Sequence, residues 1–422
     1  CTMKRSSNIH IFFAFFALMV LYTNGGNIGV LIAVPHAVYI TLKRDITLLP
    51  AILIHCAAGN GVSILIFLIF MYFTFLSYKR YPKEALYIIW CLIVLLPIMA
   101  FFVYQKISID GIVATRAIMI IQYYLAFFCF FYTFSIKSSV EERIDTSKKS
   151  ILVILGLCIV QPFLNDSFFR ISQAGYFLSL PVFAAFFCKK IRFNKLIILS
   201  VISISIFLIN RNVSEFTIFF TSCYSFLITY LYFKNHRHVL TIVTGYLPFI
   251  IILVIYVIGI HNYMDIKNFE FDETASFIDR LKFKFFADRA PFWTAAVKQI
   301  AEYKHLFPIH DMPDLTATLT DGMDIEFSFG AHTTFLALIR NFGIVPGLIL
   351  CLVYIRCTIL SSRVFKVLSL NPYLVIVYAT AVSSLIIICL TGTYTMMLMF
   401  AVFSLGISGM AYSEYTQRQP RN

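Results

Sequence analysis

An all-α, polytopic membrane protein is the fold class this sequence predicts, and three observations carry it. Sixty per cent of the 422 residues are hydrophobic and only 13% are charged, and the mean hydropathy is strongly positive. That is more apolar than a soluble core requires. Long apolar runs recur, continuous in stretches such as Leu196 to Leu208 and Ile250 to Ile260, where a membrane β-barrel would show ten-residue alternating segments. The basic residues fall mostly in short clusters between these runs. About twelve to fourteen transmembrane helices result, with one long outer loop containing short helices.

The net charge of +13 invites a nucleic-acid reading, but its distribution points elsewhere. Seven of the 34 basic residues and twelve of the 21 acidic ones lie between His261 and Gly330, leaving 27 bases against 9 acids for the rest. Nineteen of those 27 sit at Lys43-Arg44, Lys79-Arg80, Lys137 to Lys149, Lys189 to Lys195, Lys234 to Arg237, Arg356 to Lys366 and Arg418 to Arg421. By the positive-inside rule they mark cytoplasmic turns, so the partner is a lipid bilayer and not nucleic acid.

Taken in order, the elements satisfy that parity. Cys1-Thr2-Met3-Lys4-Arg5 before an apolar run reads as a signal anchor without a small-residue cleavage site. Spans near 8–22 and 28–42 return the chain to Lys43. A broken hairpin over 47–77 follows, short from Leu48 to Ala58 and interrupted by Gly59-Asn60-Gly61, as a re-entrant element would be. Spans near 86–104 and 111–136, then 151–163 with 174–188 and 196–209 with 215–233, each end on a basic cluster. The span 239–260 exits, 331–355 re-enters, and 371–391 with 393–412 complete the set. Three regions follow: an N-terminal transmembrane bundle over 1–260, a large outer loop over 261–330, and C-terminal transmembrane helices with a short cytoplasmic tail over 331–422.

The outer loop is the one long polar stretch, and function concentrates in loops held by rigid scaffolds. It contains Trp293, one of two Trp, and none of the ten cysteines. The composition therefore offers no disulfide there, and no Cys/His spacing suggests a metal. Because Lys and Arg are sorted inward, the outer cations need an explanation. They are Arg170, between Asn165 and Gly175; Arg211, in Asn210-Arg211-Asn212; Arg280; and Arg289, at the start of a helix expected to run to Tyr303. Arg211 also fits interfacial snorkelling, and Arg289 also fits pairing with Asp288 or Glu302. His332 opens the next span, where the helix dipole disfavours its charged form, so that a neutral imidazole could accept a proton. The alternative is a hydrogen-bonded interfacial His. Arg340, two turns deeper, is costly in lipid and should face the bundle interior.

The order of these features resembles the O-antigen polymerase and O-antigen ligase group of bacterial inner-membrane enzymes. In that group a long periplasmic loop lies between two late spans, with an Arg-x-x-x-Trp or Tyr helix start within it. A His begins the next span, and a Gly-Ile/Leu-x-Gly turn follows. Here these read Arg289-Ala290-Pro291-Phe292-Trp293, His332-Thr333-Thr334-Phe335-Leu336 and Gly343-Ile344-Val345-Pro346-Gly347. Arg211 before Ser214-Glu215-Phe216-Thr217 is similar to the family's Arg at an outer span end, and Arg170 to Pro181 is a fainter likeness. The family often has Asn directly after the His, where this chain has Thr333.

The resemblance implies transfer of a glycan from undecaprenyl diphosphate with neither metal nor cofactor, at the periplasmic side of the inner membrane. The leaving diphosphate accumulates negative charge that the planar fork of Arg binds in a bidentate way. Arg289 and Arg211 are the candidates for that role, and His332 is the candidate general base for the acceptor hydroxyl. Arg170, Arg280, Trp293 and Arg340 are candidate substrate-binding residues. The expected partners are the lipid-linked oligosaccharide donor and acceptor, and the resemblance adds a chain-length regulator protein.

The expected activity is a polymerase that joins the growing chain to a lipid-linked repeat unit. The ligase, which delivers the same donor to lipid A core, uses the same Arg and His chemistry. A lipid-linked oligosaccharide flippase or other transporter, which needs no base, belongs to a different class. It would line mid-span positions with charge, of which Arg116 and Arg340 are the clearest here.

Overall fold

The computed structural model describes residues 2–23, 26–57, 60–81, 85–95, 128–160, 171–210, 215–263, 289–308, 315–318, 324–327, 334–363 and 371–391, with a few single positions besides. The helices are α1 (Thr2–Thr23), α2 (Gly26–Leu42), α3 (Leu49–Ala57), α4 (Asn60–Ser77), α5 (Val140–Val160), α6 (Ile171–Phe187) and α7 (Lys195–Asn210). They continue with α8 (Glu215–Phe233), α9 (Arg237–Gly245), α10 (Leu247–Tyr263), α11 (Ala290–Tyr303), α12 (Thr334–Phe342), α13 (Ile344–Ser362) and α14 (Pro372–Thr391). Residues 85–95 and 128–134 are helical as well.

The hairpin expected over 47–77 is present as two helices. α3 has nine residues and α4 eighteen. Asp45 fixes the entry: its carboxylate accepts from the Thr47 amide and hydroxyl, both at 2.9 Å, and the chain turns into a short 3-10 segment, Ile46–Leu48, before α3. From Leu48 to Cys56 every side chain is buried, so α3 is a core element enclosed by α1, α2, α4 and α5.

Several basic turns converge on one end of this assembly. The Arg44 guanidinium donates to the Ser135 hydroxyl at 2.7 Å and to the Ser135 carbonyl at 3.3 Å, and its plane lies over Phe73. The Tyr132 hydroxyl donates to the Thr41 carbonyl and the Tyr81 hydroxyl to the Phe131 carbonyl, each at 2.7 Å. The Thr146 hydroxyl reaches the Ile46 carbonyl at 3.5 Å. These contacts tie the turn bearing Lys43-Arg44 to the one after Lys79-Arg80 and to the segment that starts at Lys137. Lys148 lies over Tyr373, which adds the start of α14 to the same end.

Apolar side chains cover both the interior and much of the outside. Tyr132 packs on Phe70 and Phe128 on Phe67 within the core, while α8 and α14 join through Ser225 and Ser383, whose hydroxyls lie 2.6 Å apart. The outer faces carry Phe12, Leu31, Leu253 and Leu352, each more than 60% exposed. Among the described residues one helical run is clearly long and apolar enough to cross a membrane: Arg237–His261, of 25 residues and mean hydropathy 2.5, which comprises α9 and most of α10 across a turn at Tyr246. Shorter apolar helical stretches, Ser7–Leu21 and Ile344–Leu360 among them, run for 10–17 residues.

The all-α class stands, and one expectation about a span is corrected. Beside α11 the 261–330 segment adds a small two-stranded sheet to the helical fold. Strand β1 (Leu315–Thr318) pairs antiparallel with β2 (Asp324–Phe327), Leu315 opposite Phe327 and Thr318 opposite Asp324. Alternation in Leu-Thr-Ala-Thr suits a strand with one covered face, and Leu315 is fully buried against Phe292 and Ala296 of α11. The correction concerns the span expected over 331–355. Gly343 adopts φ +85° and breaks it into α12 and α13, which fold back on each other. Phe335 stacks edge-on against Tyr354 and its carbonyl faces the Cys351 thiol, while the Ile339 backbone approaches Gly347 so closely that a Cβ there would collide.

Candidate functional site

Three elements meet where the acid-rich segment returns to the helices: α11, the C-terminal half of α10, and the α12–α13 turn. Pro291 in the first turn pre-sets the backbone of α11, and Lys304, left-handed at φ 45°, ends it. The apolar face of α11 does the docking. Trp293 is fully buried with its ring 5.0 Å from that of Tyr256, and it fills the space where Gly259 has no side chain. A Cβ at Gly259 would stand 2.7 Å from the indole. Ala290 is buried beside the same glycine.

This docking fixes Arg289. It occupies the N-cap position of α11, half-buried, with the helical backbone of a residue already entering the turn. The expected helix to Tyr303 is therefore found, running from Ala290 with Arg289 as its N-cap, and Trp293 in its first turn is enclosed. Trp293 acts as an anchor within the protein, since its ring is enclosed and offers no face to a sugar.

Arg340 is buried, as its position in an apolar span required. Its Nε donates to the Gln299 side-chain carbonyl at 2.7 Å and Nη1 to the Asn341 side-chain carbonyl at 3.1 Å. Its own carbonyl accepts from His305 Nε2 at 2.8 Å. A carbonyl can only accept, so that bond places a ring proton of His305 on Nε2. Gln299 lies ten residues along α11 from Arg289, a separation of about 15 Å at 1.5 Å per residue. Arg340 thus joins α11 to α12 at the far half of the helix and is not brought to Arg289.

The turn at Gly343 completes the junction. Ile344 and Val345 donate their amides to the carbonyls of His305 and Leu306, at 3.0 and 3.1 Å. The first amides of α13 are thereby satisfied by the chain leaving α11, so this helix start does not present them to an anion. A side chain at Gly343 would strike the Phe307 backbone.

Of the residues singled out in the sequence, Arg289, Trp293 and Arg340 are placed by the structure. His332, Arg211, Arg170 and Arg280 lie outside the described residues, as does Arg116. Gln299, His305 and Asn341 were not anticipated. Gln299 and Asn341 carry no charge, and His305 sits in a polar stretch where nothing in the local pattern signals burial. Comparison with protein-family models, curated proteins and solved structures gives no match at any of the three levels.

Proposed function

We propose that the chain is a polytopic inner-membrane enzyme that polymerises surface polysaccharide, transferring a growing glycan from undecaprenyl diphosphate to a lipid-linked repeat unit on the periplasmic side. The membrane reading is supported by the apolar outer faces, which in water would be a large exposed patch and in a bilayer are solvated by acyl chains. It is supported further by the basic turns gathered at one end, as cytoplasmic turns would be. On this reading the helices form about twelve to fourteen spans, with the 261–330 segment on the opposite side.

The observation that carries the catalytic reading is Arg289, a cation opening a helix that Trp293 locks onto α10. A guanidinium on a rigid support can hold diphosphate oxygens without reorganising as their charge builds up. In the proposed step the acceptor hydroxyl oxygen bonds to the anomeric carbon of the donor sugar and passes its proton to the imidazole of His332. The bond from that carbon to the diphosphate oxygen breaks, and undecaprenyl diphosphate leaves with the electron pair, neutralised by Arg289 and Arg211. Diphosphate is already a good leaving group, so the step balances with no metal or cofactor. Arg170 and Arg280 are proposed to contact the substrate. Arg340 acts at a distance, by holding α11 against α12.

The test is polymer formation in a strain lacking this gene, complemented at matched membrane levels with the intact chain or with His332→Ala, Arg211→Ala or Arg289→Ala. Long-chain ladders with the intact gene, and single-unit or unextended product with each substitution, are expected. Carrier-linked polymer that accumulates in the null strain without reaching lipid A core would identify the ligase instead. Ladders that survive all three substitutions would sink the catalytic assignment and favour a transporter.

A further inference from the structure

Three histidines from three helices stand in series within the N-terminal part of the fold. His10 Nδ1 lies 3.0 Å from His36 Nε2, and His36 Nδ1 lies 2.7 Å from His55 Nε2. The His10 and His36 rings lie at 24° to each other with centroids 5.3 Å apart, and the His55 ring meets His36 edge-on at 5.0 Å. His10 on α1 and His36 on α2 are half-buried, whereas His55 on α3 is fully enclosed. Among the described residues its remaining ring nitrogen, Nδ1, has no hydrogen-bond partner.

The rings do not converge on a point. His36 uses a different nitrogen toward each neighbour, so one ion could not take all three as ligands, and among the described residues no group of three or more such side chains is placed to hold a metal. Each contact instead requires one ring N–H and one ring lone pair. Both bonds form in a neutral chain only when all three rings carry the proton on the same type of nitrogen. Two arrangements meet that condition, with the protons all on Nδ1 or all on Nε2.

A proton can pass along the first arrangement. A proton arriving at His10 Nε2 lets the Nδ1 proton of His10 move to His36 Nε2. The Nδ1 proton of His36 then moves to His55 Nε2. His10 and His36 end neutral with their protons on Nε2, the positive charge of the entering proton resides on His55, and the reverse steps return it, because among the described residues His55 Nδ1 has no acceptor.

We propose that His10, His36 and His55 form a proton relay between the half-buried edge of α1 and the enclosed His55 ring. The relay rests on no part of the glycosyl-transfer reading. Its surroundings suit neutral rings that exchange protons. Phe13 packs on His36 and Tyr39 on His10. Lys43 and Asp45, in the turn after α2, are the charged groups acting on His10, while Arg44 is directed to Ser135. From α3 the neighbour is the buried thiol of Cys56, and no described charged side chain comes from α4. On α5, Lys149 is paired with Asp145 at 3.0 Å and Arg143 is bonded to Ser138. The side chains of Lys4 and Arg5 lie outside the described residues.

The test is solid-state NMR on the full chain, labelled with 15N-histidine, in vesicles of phosphatidylethanolamine and phosphatidylglycerol. Couplings across N–H···N bonds should connect His10 to His36 and His36 to His55, and each protonation step on lowering the pH should be reported by all three rings together. His10→Phe keeps the inner bond and suits the aromatic surroundings; in it, exchange of the His55 ring proton with water should slow by about tenfold or more with the backbone spectrum unchanged. Absent couplings would overturn the relay, as would a His55 response identical in the intact chain and His10→Phe. It would also be overturned if stoichiometric Zn(II) or Cu(II) shifted all three rings together and abolished the couplings.

Discussion

Arg340 Nε and the Gln299 side-chain carbonyl meet at 2.7 Å, joining a buried guanidinium on α12 to the helix supplied by the acid-rich segment. A buried charge must be hydrogen-bonded to persist, and here one of the bonds crosses between two elements far apart in sequence. Gln299→Leu removes the acceptor and leaves the charge in place. A loss of about 1–3 kcal/mol is expected, because a buried donor loses its partner. Thermal unfolding of the purified chain in detergent reads it. Adding Arg340→Met to Gln299→Leu should recover part of the loss, since removing both partners costs less than orphaning one. No recovery would show that Gln299 acts through packing alone.

Gly343 carries φ +85° with the Phe307 backbone against it. Gly343→Ala should destabilise the fold by more than the roughly 1–2 kcal/mol that a left-handed residue with a Cβ costs, because the new atom also displaces the 305–307 strap. The strap holds the first amides of α13, so limited proteolysis should cut near Leu306 faster in the variant. Unchanged cleavage would mean that the turn relaxes without releasing it.

Much of this was legible in the chain. Helix after helix follows from apolar runs, the division of the 47–77 hairpin into two helices was expected, and the buried placement of Arg340 follows from the cost of a charge among apolar side chains. The β-hairpin escaped because Leu315-Thr316-Ala317-Thr318 is too short for its alternation to stand out from the loop around it. The fold-back at Gly343 escaped because an apolar run looks the same whether it continues straight or doubles on itself. The positive φ marks the break, and the Phe307 backbone that lies against Gly343 comes from another segment. The histidine chain could not be read at all, since the three positions share no spacing and meet only once α1, α2 and α3 pack.

Trp293 reports on the docking of α11. With Trp90→Phe as background it is the sole indole, and its enclosure predicts blue-shifted emission. Gly259→Leu puts side-chain atoms where the ring stands, so the indole must leave its site against Tyr256. Emission should move to the red, and activity should fall as Arg289 loses its support. Red-shifted emission with full activity would separate the anchor from the proposed site.

Arg289 offers the sharpest separation of charge from geometry. If it binds the leaving diphosphate, Arg289→Ala should lower polymer formation by about 100-fold or more, the scale on which one preorganised donor to a developing charge is lost. Arg289→Lys keeps the charge and surrenders the planar fork, so it should fall between the alanine variant and the intact chain. A purely structural Arg289 predicts something different: both variants would lose stability, Trp293 emission would shift with them, and the loss of activity would follow the loss of folded protein. Emission and unfolding temperature measured on the same samples therefore discriminate. Full activity in Arg289→Ala, with Trp293 still enclosed, would remove the guanidinium from the mechanism and leave α11 as scaffold alone.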